Sequence, residues 1–218
     1  MISTMGVGIG ASPLIKSISP SSCGFVDLSN LLCGARDAAE RKAEPPALVR
    51  IHADHLRDLV YANREMTRGV VVANDYLPQG AAKRFGSLGS VIQLEAGRRT
   101  GTEQANDQTL QVKIYEAIHS LPAGVLVLGT GDGAGASEGR GFLPALDAAR
   151  TLGWAIEVVG WRGSMNRNLL VWLSRTNSVF VALDDYYYAV TFVEGGRQAQ
   201  PVSLLHRRTA EPRSRGDR

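Results

Sequence analysis

The sequence predicts an α/β domain of three layers, α/β/α, around a central and mostly parallel sheet. Three observations predict it. Short apolar runs alternate with stretches of helical period along most of the chain. Those runs are apolar at consecutive positions, as in strands covered on both faces. Acidic residues recur just past the runs, where a parallel sheet of right-handed crossovers would align its carboxyl ends along one rim.

Taken in order, residues 1–22 are rich in Gly, Ser, Pro and Ile without clear periodicity and read as a flexible lead-in. The domain is expected over 23–194. Residues 24–29 form a first buried strand, and the charged stretch 36–46, ending in Pro45 and Pro46, reads as a loop or frayed helix. Leu56, Leu59 and Val60 lie at helical spacing within 53–64. Residues 69–74 are a second strand, 79–85 a short helix and 90–94 a third strand. A polar loop over 95–102 precedes a helix over 104–119 with Leu110, Ile114, Ala117 and Ile118 on its apolar face, stopped by Pro122. Residues 125–128 are a fully buried strand leading into a glycine-rich stretch, 129–141. A helix over 142–152 ends at Gly153, followed by a strand over 155–160. A helix over 166–175, a strand over 178–183 and an edge strand over 186–193 complete the pattern.

The composition is that of an ordinary globular domain, with 44% hydrophobic and 21% charged residues in a chain of 218. The longest apolar runs are too short for a bilayer, and no basic segment followed by an apolar one opens the chain. A cytoplasmic protein without membrane association is the expectation. Cys23 and Cys33 flank the first strand; reduced thiols are expected, with a disulfide between them as the other reading. No Cys/His cluster has zinc-ligand spacing. The net charge of +3 is uneven. Six arginines against Glu211 and Asp217 give 195–218 about +4, while the body carries about −2. The tail is expected to be disordered, or to hold phosphates.

In open parallel sheets ligands sit beyond the carboxyl ends of the strands. Asp27 follows the first strand, with Ser29 and Asn30. Arg98 and Arg99 follow the third, with Asn106 and Asp107 near the start of the next helix. Asp132 follows the fourth, and Asp184 and Asp185 the last. Carboxylates gathered at one rim repel unless a cation joins them, and an oxygen-only set suits Mg²⁺ or Mn²⁺. Taken singly, each has a plainer reading: Asp27 as a turn residue bonding local amides, Asp107 as a helix-start residue. Trp154, Trp161 and Trp172 are expected in packing, His119 at a helix end, His52 and His55 at the surface, and Tyr186 to Tyr188 on an edge strand.

Three stretches together resemble the NYN family of PIN-like ribonucleases, a Rossmannoid group. Phe25-Val-Asp-Leu-Ser-Asn30 is similar to the family's strand ending in D-x-x-N. Glu103-Gln-Ala-Asn-Asp-Gln-Thr-Leu110 is similar to its helix start E-K-G-V-D-x-x-L. Val127-Leu-Gly-Thr-Gly-Asp132, with Gly153-Trp-Ala-Ile-Glu-Val-Val159 further on, resembles its S/T-G-D strand and the strand after it. The resemblance spans roughly 24–185. It implies metal-dependent endonucleolytic hydrolysis of RNA, in single-stranded form, and a chain that pairs as a homodimer. It implies Asp27, Asp107 and Asp132 as metal ligands and catalytic carboxylates, Asn30 orienting Asp27 or a water, and Thr130 beside the site. Arg98, Arg99 and Arg162, in rim loops, are candidate phosphate contacts.

The sequence also departs from that pattern. Gln104 stands where the family commonly has Lys, and Ala134 where many members carry a second acid. Glu138 is then the candidate fourth ligand, with Asp184 the other. A catalytically weak or inactive RNA-binding module on the same fold is the alternative. A third reading takes Gly129-Thr-Gly-Asp-Gly-Ala134 as a loose G-x-G-x-x-A nucleotide-binding turn. The distance to the next predicted helix and the acid within the turn weigh against it.

Overall fold

The computed structural model describes residues 20–74, 79–94, 102–131 and 141–212. In chain order the elements are β1 (Ser22–Asp27), α1 (Leu28–Arg41), β2 (Val49–Ile51), α2 (Ala53–Tyr61), β3 (Met66–Asn74), α3 (Gln79–Arg84), β4 (Ser90–Leu94) and α4 (Thr102–Ser120). They continue with β5 (Val125–Gly129), α5 (Leu143–Thr151), β6 (Ala155–Gly160), α6 (Arg167–Arg175), β7 (Val179–Ala182), α7 (Tyr187–Val190) and β8 (Thr191–Val193). Among the described residues six strands form one sheet in the order β4-β3-β1-β5-β6-β7, and every neighbouring pair is parallel. The predicted three-layer α/β/α class is the observed one.

The apolar runs become strands because both faces of the sheet are covered. One face packs against α1, α2 and α7, the other against α4, α5 and α6. Residues alternate between the two cores: Val26, Val71, Val127 and Val159 face the first, and Phe25, Val72, Leu128 and Val158 the second. Each such fully buried side chain contributes about 1.5–3 kcal/mol. From β1 the chain steps to β3 and β4 in one direction, then returns through α4 to β5 on the other side of β1. Crossovers of one hand need opposite faces for opposite directions, which accounts for the two helical layers.

Where the sequence reading differs, the cause is packing. The stretch read as a loop or frayed helix over 36–46 belongs mostly to α1, which starts at Leu28 directly off the strand. Leu28, Leu31, Ala35, Ala38 and Ala39 recur at helical spacing and are buried. Gly34 lets Trp161 lie against this helix: a Cβ there would stand 2.2 Å from Trp161 Cδ1. The Trp161 indole N–H donates to Leu31 O at 2.8 Å. The edge strand read over 186–193 is a 3₁₀ turn, the short helix α7, and then β8. β8 pairs antiparallel with β2 outside the main sheet. His52 caps α2 and stacks on His55 at 3.8 Å, so neither ring is simply a surface group. Trp154 and Trp161 are buried and Trp172 partly so. Cys23 is buried in β1 and Cys33 exposed on α1, with no disulfide between them. No helix among the described residues is long and apolar enough to cross a membrane.

The tail expected to be disordered is, over 195–212, packed onto the first face. Its anchor is Glu157, a fully buried carboxylate in the middle of β6. Arg64 meets it with two hydrogen bonds of 2.7 Å, Arg207 adds one of 2.7 Å, and the Ala210 amide adds one of 2.8 Å. Arg207 also donates to the carbonyls of Leu59 and Val60 at the end of α2. Arg197 is held by Glu44 at 2.6 Å and by Thr191. Two of the tail's arginines are thus structural, and the positive charge read as free for phosphates is partly spent inside the fold.

Burial pushes the Glu157 carboxyl up, but the hydrogen bonds and charges of Arg64 and Arg207 outweigh it and hold the group below its usual range. A carboxyl depressed on folding adds stability above its unfolded pKa, and that stability fades as pH falls through the folded value. Acid titration of unfolding followed by circular dichroism is expected to show stability lost below about pH 4, the ordinary Glu range, with a flatter loss in Glu157→Gln. Arg207→Met leaves a buried charge with one partner fewer, and denaturant melts are expected to show a loss of about 3–5 kcal/mol. A free tail would give no change.

Candidate metal centre

The reversal in strand order falls between β1 and β5, so their carboxyl ends border the crevice where open α/β sheets bind ligands. Asp27 is the last residue of β1 and is only 2% exposed. It does two things. As N-cap of α1, its Oδ1 accepts from the Asn30 amide at 3.0 Å, the local role that the plainer reading gave it. Its Oδ2 lies 3.5 Å from Asn106 Nδ2 on α4.

Asn106 and Asp107 stand in the early turns of α4, which packs against β1 and β3. Both are buried, at 1% and 5% exposure. Asn106 Oδ1 has no hydrogen-bond partner among the described residues. A buried amide oxygen left without a donor is costly unless something beyond these residues meets it. The donor set around it, carboxylates and an amide oxygen, is the chemistry of a hard divalent cation.

The end of β5 joins the same place. Val26 pairs with Gly129, and the next residue, Thr130, is fully buried with its amide donating to Val159 O at 3.0 Å. Gly131 then passes against the first turn of α1. A Cβ at Gly131 would be 2.6 Å from Asn30 O, so only glycine permits this approach. The Ser164 hydroxyl donates to Gly131 O and fixes the exit of β5 from the other side. On the β3 side, Ser29 and Asn74 bond reciprocally: the Asn74 amide donates to Ser29 Oγ at 3.0 Å, and the hydroxyl returns to Asn74 Oδ1 at 2.5 Å. The first turn of α1 is thereby tied to the end of β3.

Asp27, Asn30, Asp107 and Thr130 are therefore on elements that meet at one crevice. Asp132 and Glu138, and with them Arg98 and Arg99, lie outside the described residues. Among the described residues no group of three acids, histidines or cysteines stands at metal-binding range. The pair of carboxylates present still suits Mg²⁺, which commonly takes one or two carboxylates together with water and substrate phosphate.

Two other candidates are engaged elsewhere. Arg162, just past β6, grips Asp185 with two hydrogen bonds of 2.6 and 2.7 Å, and its amide donates to Asp184 at 2.7 Å. The hydrogen bonds and charge of Arg162 hold the Asp185 carboxyl below its ordinary range, against the upward push of its partial burial. Arg41 approaches Asp184 at 3.6 Å. β7 is three strands from β1, about 14 Å at the usual strand spacing, so Asp184 does not share an ion with Asp27. Arg162 is a rim arginine held in an exposed ion pair. His119 is exposed in the last turn of α4, as expected.

Sequence reasoning noted Asn106 without giving it a role, and gave none to Asn74. The strand-end rule that selected Asp27 applies equally to Asn74, which closes β3. For Asn106 the signal is its place one residue before a candidate acid, on the helix face that meets β1. Set against family models, curated proteins and solved structures, the chain finds no match.

The cap and the crevice make separable demands on Asp27. Asp27→Ala removes the cap and is expected to cost about 1 kcal/mol in a denaturant melt, whereas Asp27→Ser keeps a capping oxygen and most of that stability.

Proposed function

We propose that the chain is a metal-dependent endoribonuclease acting on single-stranded RNA. The observation that carries this reading is the buried Asp27–Asn106 contact at the strand-order reversal. It brings a strand-end carboxylate and the Asn106–Asp107 pair to the spot where such sheets bind ligands. In this reading Asp27, Asp107 and Asp132 would hold Mg²⁺ or Mn²⁺, with Glu138 as a lesser ligand and Asn106 Oδ1 as a neutral oxygen beside them. When bound, such an ion supplies Lewis acidity to a phosphate oxygen and lowers the pKa of a water.

The chain's own residues then have defined tasks. The Asn30 amide fixes Asp27 Oδ1, so the other oxygen is aimed at the crevice. Asn106 Nδ2 faces that oxygen and limits its rotation. The Thr130 hydroxyl supports Asp132 or a phosphate, and Arg98 and Arg99 meet the backbone of the strand. Burial of the carboxylates excludes bulk water and strengthens their hold on charge.

The test is cleavage of an end-labelled, mixed-sequence single-stranded RNA in Mn²⁺, Mg²⁺ or EDTA. Cutting is expected with either metal and not in EDTA. Asp27→Ser, Asp107→Asn and Asp132→Asn are each expected to reduce it at least about 100-fold while the melting temperature of Asp27→Ser barely moves. Intact RNA with a retained gel shift would replace the nuclease with an RNA-binding module on the same fold.

A further inference from the structure

A groove of about 950 Å³ opens on the α1 side of the sheet and stands apart from the carboxylates of the crevice. Leu28, the residue after Asp27 in the chain, is among its lining residues. Arg36 on α1 and Arg84 at the end of α3 line it, and both are exposed. No described carboxylate forms an ion pair with either guanidinium. The two acids on the wall are already taken, Glu194 by Arg50 at 2.8 Å and Asp54 by Arg57 at 3.4 Å. Among the described residues Arg36 and Arg84 thus have no ion-pair partner.

Phe192 and His52 line the same groove. Phe192 on β8 is partly exposed and meets the His52 ring edge-on at 6.4 Å between centroids. His52 in turn stacks on His55. Burial and the neighbouring His55 hold the His52 imidazole below its ordinary pKa, so at neutral pH it offers an uncharged ring. Unpaired guanidiniums beside aromatic rings, in a groove of this size, match a ligand with anionic phosphates and planar bases. An acidic peptide would use the arginines and leave the rings unused.

We propose that this groove holds the nucleotides of single-stranded RNA that flank the cleaved phosphate, with Arg36 and Arg84 on the backbone and a base against Phe192. The proposal rests on the endoribonuclease reading for the direction of the strand, and its test is independent of cleavage. Binding of a fluorescein-labelled 12-nucleotide RNA is followed by anisotropy in EDTA over a range of salt. Arg36→Ala/Arg84→Ala is expected to bind at least about 10-fold more weakly, with the salt slope reduced by about 1.4 for two lost phosphate contacts. Phe192→Leu is expected to weaken binding about 5-fold or more without changing the slope. Melting temperatures of both variants are expected to stay near wild type.

Unchanged affinity and slope in the double arginine variant would overturn the groove while leaving metal-dependent cleavage standing. Arginine-dependent binding without any cleavage would keep the groove and remove the nuclease. Absence of RNA binding by the wild type, or binding of labelled oligoglutamate in its place, would overturn the proposal in favour of no ligand or an acidic protein partner.

Discussion

The handedness of the crossovers governs most of what this molecule does. A chain that leaves β1 toward β3 and later returns to β5 must place its connecting helices on opposite faces of the sheet. The carboxyl ends of β1 and β5 then border a crevice. The candidate metal centre is arranged around it: Asp27 at the end of one strand, Thr130 and Gly131 at the end of the other, and the start of α4 beside them. The polar rim is a consequence of topology, while the strand interiors between Val70 and Ala73 or Leu126 and Leu128 stay wholly apolar.

Asp27 illustrates how one side chain can cap a helix and still present an oxygen to a crevice. A carboxylate has two oxygens, and here one satisfies the orphan amide of a helix start while the other turns toward α4. The cap is more than incidental to the second task, because it fixes the carboxylate's rotamer. Ser29 and Asn74 on one side, and Ser164 with Gly131 on the other, hold the surrounding backbone in the same way. A site built on strand ends and locked by such secondary bonds is more exact than one carried by free loops.

Stability and the crevice draw on different parts of the chain. Glu157 sits in the core with Arg64 and Arg207, far along the sequence from each other, and joins the end of α2, the middle of β6 and the C-terminal segment. Buried ion groups of this kind add little relative to apolar packing, yet removal of one member is severe. The arrangement therefore selects one way of docking the tail. The Lys42 ammonium over the Tyr187 and Tyr188 rings, and Arg197 beside them, continue the same strap on the surface.

The sequence by itself determined the fold class, the parallel sheet and the order of its main elements, because consecutive apolar residues and helical spacing are local patterns. It also marked Asp27, Asp107 and Asp132 as candidates, since acids placed after strands are visible in one dimension. It could not reveal α1 as a full helix, because the charged stretch 36–46 with its closing prolines reads as a break until the helix is packed, with Trp161 against Gly34. Nor could it distinguish a solvated basic tail from one whose Arg207 is buried on Glu157, for the partner lies fifty residues away. Tertiary structure alone decided that Asn106 faces Asp27, that Arg162 is bound to Asp185, and that Arg36 and Arg84 share a groove. Each depends on which surfaces the crossovers bring together, and a local pattern carries no record of distance through space.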